Sequence, residues 1–190
     1  MHIAFLSADK TASGAFDRDT ALIGAFEALG AEVTVIVPDQ PLTGWFSRCR
    51  SGLLRRMGYR VFTACDVSRL RRLAGSIEKE LAGTKADVIF SSSTHFTTWL
   101  NTPLPMVNYV DAVFDCIVDF YPAYTHLDFL SLREGHRAER RVLHRSSLTL
   151  LWSFWAAQRA ISCYHVRQAR LGVVPGAAIL PSEPTRSEVL

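Results

Sequence analysis

Three places in the sequence put chemistry-bearing residues where an apolar strand gives way to a loop or helix. In open parallel sheets ligands bind beyond the carboxyl ends of the strands, because loops and helix N-termini converge there. The first is Lys10-Thr11-Ala12-Ser13-Gly14-Ala15, after the run Ile3–Ala8. A small residue followed by glycine ahead of a helix lets backbone N–H groups approach a phosphate. The segment is neither a G-x-G-x-x-G fingerprint nor a Walker loop, since Lys10 precedes the glycine. A phosphate cradle and a plain helix-entry loop both fit it. The second is Asp111, directly after Met106–Val110, where a carboxylate could accept a proton or bind a hydroxyl; capping the next helix is the other reading. Asp115 and Asp119 follow at helical spacing, with Tyr121 beyond. The third is Ser153-Phe154-Trp155-Ala156-Ala157, in which Ser153 is a natural N-cap.

Other chemistries are disfavoured. The six histidines form no H-E-x-x-H or similar metal pattern, and are expected on the surface or on helix faces. No G-x-S-x-G elbow supports a Ser-His-Asp set. The four cysteines, Cys49, Cys65, Cys116 and Cys163, form no C-x-x-C pair. They read as buried or half-buried thiols, with neither a zinc site nor a disulfide framework. No metal and no resident cofactor are expected.

The net charge of +3 is too mild to imply nucleic acid, but the arginines are unevenly placed. Arg48, Arg50, Arg55, Arg56, Arg60, Arg69, Arg71 and Arg72 share their stretch with one acid, Asp66, and Trp45 and Phe46 stand at its start. A basic amphipathic segment led by aromatics suits an anionic membrane surface or an anionic acceptor. A solvated helix face is the other reading. No recognition motif supports nucleic acid.

The elements that position these residues alternate. Helical spacing of Leu22, Ile23, Phe26 and Leu29 predicts a helix over Arg18–Leu29, stopped by Gly30. The β-branched run Glu32–Val37 predicts a strand, completing a βαβ unit with a parallel sheet. Helices are predicted within Gly44–Tyr59 and over Val67–Leu81, Leu130–His144 and Phe154–Tyr164, with one or two turns within Thr94–Leu100. Strands are predicted over Asp87–Ser91, Met106–Val110, Leu148–Trp152 and Leu171–Val174. The fold class is therefore α/β, a Rossmann-like parallel sheet with helices on both faces. Residues 1–180 are assigned to one domain. Residues 181–190, with two prolines amid polar side chains, have linker composition. No window approaches the ~20 apolar residues of a membrane span, and no signal peptide is recognisable.

In order, these features resemble the N-terminal domain of a GT-B-fold glycosyltransferase of the retaining group 1, or family 4, class. The resemblance is carried by Asp111-Ala112 after a strand, Tyr121, a charged helix with Glu139, and Ser153-Phe154-Trp155-Ala156-Ala157. Tyr164 and Val173-Val174-Pro175-Gly176-Ala177 complete it. Ser13-Gly14 matches an S-G-T/A loop found in one branch. The class commonly has His where this chain has Asp111, which matches a branch with D-A-T. The Arg-rich stretch matches least.

The resemblance implies an acceptor-binding domain whose partner domain holds a nucleotide-sugar as donor substrate. Asp111 would be catalytic. Ser13 and Gly14 would face the donor phosphates, Tyr121, Ser153 and Trp155 would line the acceptor cleft, and Pro175 and Gly176 would form the hinge. The acceptor would be a carbohydrate or a lipid-linked hydroxyl. The chain ends before the family's E-x-x-x-x-x-x-x-E donor motif, so it is expected to need a donor domain in cis or in trans and to be inactive alone. A cytoplasmic location is expected, with peripheral contact at the inner face of a membrane through Arg48, Arg50, Arg55, Arg56 and Arg60. The alternative is a non-catalytic Rossmann-like module that uses this basic patch for docking.

Overall fold

The computed structural model describes residues 1–7, 18–39 and 45–176, the side chains of residues 46–48 excepted. Six strands form one parallel sheet in the order β2-β1-β3-β4-β5-β6. They are β1 (His2–Leu6), β2 (Glu32–Ile36), β3 (Val88–Ser91), β4 (Met106–Val110), β5 (Leu148–Leu151) and β6 (Leu171–Val173). The helices are α1 (Arg18–Ala28), α2 (Trp45–Arg56), α3 (Val67–Leu81), α4 (Thr94–Thr97), α5 (Phe114–Ile117), α6 (Phe129–Arg145) and α7 (Phe154–Tyr164). The fold is α/β and Rossmann-like. Chain progression reverses between β1 and β3, which are paired with Leu6 beside Ser91. That reversal opens a crevice at the carboxyl edge of the sheet.

Apolar runs such as Ile3–Leu6 become inner strands because helices cover both sides of them. On one face, Leu22, Ile23 and Phe26 of α1 pack over Ile3, Phe5 and Phe90. The Phe5 and Phe90 rings stack with centroids 5.4 Å apart, and Phe26 meets Phe90 edge-on at 5.0 Å. On the other face, Leu70, Leu73, Ile77 and Leu81, all on one side of α3, pack over Ala4, Leu6, Ile89 and Met106. Each such side chain contributes about 1.5–3 kcal/mol relative to exposure. Farther along that face, Val142 and Leu143 of α6 and Ala156, Ala157 and Ala160 of α7 cover Val110 and Leu151. Among the described residues, α1 is the helix whose side chains join the cluster on the first face. Toward the β6 edge of that face, Leu150 and Trp152 are half-buried and Val174 is exposed.

Two local readings are corrected. The helix expected to carry Asp115 and Asp119 ends at Ile117. Val118 turns extended, and Asp119 takes a positive φ of 55°. Asp115 instead joins α5 to α7 through an ion pair with Arg159. Cys49 is exposed rather than buried; Cys65 and Cys116 are buried, Cys163 is intermediate, and all four are free thiols. The Ser13-Gly14 loop and residues 181–190 lie outside the described residues.

Candidate functional site

The carboxyl ends of β3 and β4 open into a cavity of about 280 Å³. β3 leads through Ser92 and Ser93 into α4, which presents Thr94 and His95. β4 leads into Asp111 and Ala112. Phe62 and Cys65, from the stretch between α2 and α3, supply one wall. Phe114, Tyr121 and Tyr124 supply aromatic surface, and α6 passes behind with Glu139. The Phe62 ring stacks on Phe114 at 5.8 Å and meets Tyr124 edge-on at 5.1 Å.

Glu139 lies in the core register of α6. The buried positions of that helix include Gly135, Ala138, Glu139, Val142 and Leu143, at the i, i+3, i+4, i+7, i+8 spacing of an inward stripe. One carboxyl oxygen lies 3.5 Å from the Thr94 hydroxyl, at the limit of a hydrogen bond. The other, Oε1, is buried with no partner. Burial pushes the pKa up to about 8, the Thr94 hydrogen bond opposes that shift, and the Asp111 charge adds to it. At neutral pH Glu139 is therefore mainly a carboxylic acid, able to donate a hydrogen bond as well as accept one.

Asp111 is exposed at the cavity mouth. Its carboxylate accepts a hydrogen bond from the adjacent Ala112 N–H at 2.9 Å. It does not cap α5, whose N-cap is Val113. Tyr121 lines the same cavity and is half exposed. Phe120 packs on Tyr121 at 5.0 Å and lies 6.1 Å from Trp155. An aromatic shelf thus runs from the cavity mouth to the start of α7.

The other expected site residues fall elsewhere. Ser153 is the N-cap of α7 and accepts from the Ala156 N–H at 3.1 Å. Pro175 and Gly176 lie past β6, where the Pro175 carbonyl accepts from the Tyr109 hydroxyl at 3.4 Å. A side chain at Gly176 would overlap the Trp152 ring. None of these three lines the cavity.

The basic stretch divides. Arg55, Arg56 and Arg60 are exposed, together with Trp45, Leu53 and Met57. Arg50 is not a surface cation: its side chain is 10% exposed, 3.1 Å from the Ser131 hydroxyl and 3.6 Å from the Asp128 carboxylate. Two buried acids, Asp66 and Asp128, lie near Arg50 and Glu134, and a charge in that setting is held by its partners rather than offered to solvent. The Arg48 side chain lies outside those described.

Two clusters were not anticipated from the sequence. His95, expected on the surface or on a helix face, is on α4 and lines the cavity with Nε2 3.4 Å from the Cys65 sulfur. Burial, with Arg69, lowers the basicity of His95, and burial raises the pKa of the Cys65 thiol. Both shifts disfavour a thiolate–imidazolium pair. The other cluster occupies the crevice between β1 and β3. There the buried Asp19, in the first turn of α1, accepts from the hydroxyls of Ser7 at 2.7 Å and Ser92 at 2.9 Å. Among the described residues, no group of three or more His, Cys, Asp or Glu side chains is placed to hold a metal ion. No described helix is long and apolar enough to cross a membrane.

No family profile matches the sequence, and no curated protein is significantly similar to it. Among solved structures, the crystal structure of Arabidopsis thaliana UGT89C1 complexed with UDP-L-rhamnose is similar, with a TM-score of 0.44 and 11% identity. The alignment covers 100% of this chain and 54% of that one, so this chain spans about half its length.

Proposed function

We propose that this chain is the acceptor-binding half of a retaining glycosyltransferase and that the Asp111–Glu139 cavity holds the acceptor. The supporting observation is the pairing of an exposed carboxylate with a buried carboxylic acid whose Oε1 has no partner, between aromatic walls. Asp111 accepts a hydrogen bond from the acceptor hydroxyl, Glu139 donates one to a neighbouring oxygen, and Tyr121 and Trp155 cover the apolar C–H face of a sugar ring. Ligand pockets combine apolar walls with a few placed polar groups in this way. The acceptor class is a carbohydrate or a lipid-linked hydroxyl. The nucleotide-sugar is a substrate held by a donor domain in cis or in trans. No resident cofactor is required.

Calorimetric titration with a panel of mono- and oligosaccharides tests the binding step. Saturable binding of at least one acceptor, weakened about tenfold or more by Asp111→Asn and by Tyr121→Ala, is expected. Absence of saturable binding across the panel, or unchanged affinity in both variants, rejects the reading. With a donor domain supplied, Asp111→Asn should lower turnover by about 10² or more. Stability should change by no more than about 0.5 kcal/mol, since the residue is exposed.

A second reading rests on α2. Exposed Trp45, Leu53 and Met57 beside Arg55, Arg56 and Arg60 suit peripheral docking on an anionic bilayer. Sedimentation with phosphatidylglycerol vesicles should be lost in Arg55→Ala/Arg56→Ala, and retention of binding would reject it.

A further inference from the structure

The outward side of α6 carries a groove distinct from the acceptor cavity. It has a volume of about 750 Å³ and is lined by Trp99 together with Arg133, Arg137, Arg140, Arg141 and Arg145. No carboxylate lines it, and none of these arginines forms an ion pair among the described residues. Arg133, Arg137, Arg141 and Arg145 follow one another at i, i+4 spacing. Like charges at that spacing repel and destabilise a helix.

The guanidiniums converge rather than spread. Arg141 lies 4.2 Å, Arg71 4.7 Å and Arg137 5.7 Å from the Trp99 ring centroid. Arg141 is fixed by donating its Nε–H to the Thr98 carbonyl at 2.9 Å. Burial and the charges of Arg145, Arg137 and Arg71 pull its pKa below the ordinary value. Planar guanidinium forks clustered without a counter-charge match phosphate oxygens.

We infer that this groove binds a compact diphosphate-bearing anion, with Arg137 and Arg141 holding its two phosphate groups. A bilayer fits poorly, because the groove is concave and presents none of the exposed large apolar side chains that α2 carries. Single-stranded nucleic acid fits poorly, because guanidiniums pack on the Trp99 ring on which a base would stack. The inference is independent of the acceptor reading, since Glu139 and Asp111 line a different cavity.

The test is calorimetric titration of the full chain with inorganic pyrophosphate at low ionic strength. Saturable binding near one per chain is expected, weakened tenfold or more in Arg137→Gln/Arg141→Gln and unchanged in Arg55→Gln/Arg56→Gln. Circular dichroism monitors the fold. If loss of the Thr98 contact unfolds the double variant, Arg133→Gln/Arg137→Gln carries the test, with a loss of at least threefold expected. Inorganic phosphate should bind at least tenfold more weakly than pyrophosphate. Failure of pyrophosphate to saturate, indifference to the groove variants, or equal affinity for monophosphate would overturn the proposal. So would binding of anionic vesicles or of a single-stranded oligonucleotide that depends on Arg137 and Arg141 and resists competition by pyrophosphate.

Discussion

Glu139 shows what burial does to a carboxyl group. In the unfolded chain it titrates in the ordinary carboxyl range; in the folded chain its pKa is about 8, chiefly through loss of water. Below the unfolded value both states hold the proton, and its burial adds no ionisation penalty. As pH rises toward 8 the unfolded chain ionises first, so stability falls by up to ~1.4 kcal/mol per pH unit. Above about 8 both states are ionised and the loss levels off. Glu139→Gln should remove this slope and be the more stable form at pH 8. Urea unfolding of both proteins at pH 5 and pH 8 reads this directly, and parallel pH profiles would show that Glu139 is not a buried acid. Asp111 was legible in the sequence because an acid directly after an apolar strand has few other places to go. The inward placement of Glu139 was readable only from its register with Gly135, Ala138 and Val142, since its charge alone suggests a solvent face. His95 and Asp19 gave no local signal; the partner of His95, Cys65, is 30 residues away, and those of Asp19, Ser7 and Ser92, are 12 and 73 away.

At the scale of elements, α6 separates the two candidate sites, with Glu139 on one side and Arg137 and Arg141 on the other. Its seating depends on Gly135, where an added Cβ would overlap the Phe114 ring. Gly135→Ala should therefore cost about 1–3 kcal/mol despite the better helix propensity of alanine. In a thermal melt this corresponds to a fall of roughly 2–4 °C per kcal/mol; an unchanged or higher Tm would show that Phe114 yields freely. Apolar periodicity made α3 legible over its full length, because four inward residues and its turn boundaries agree. Asp115 and Asp119 misled for the opposite reason. Their spacing fits a helix face, but Asp115 is drawn to Arg159, and the chain leaves helical conformation at Val118. Arg50 misled likewise: it belongs to a run that reads as basic surface, yet long-range pairing with Asp128 turns it inward.

For the molecule as a whole, alternating strands and helices made the parallel sheet legible, but nothing local to a strand says which edge of the sheet it joins. That choice decides how evenly the sheet is covered. β1 is buried along nearly its full length between α1 and α3, whereas every residue of β6 is only partly buried. Backbone amides in the two regions should therefore exchange with deuterium by different routes. Those of β1 and β3 should wait for global unfolding, while those of β6 should exchange through local opening, at least about tenfold faster. Exchange mass spectrometry resolves the two, and equal protection across the sheet would refute the difference. The unequal cover gives the molecule an order of loosening: the margin nearest Val174 can come apart and re-form while the cavity anchored on β3 and β4 keeps its shape.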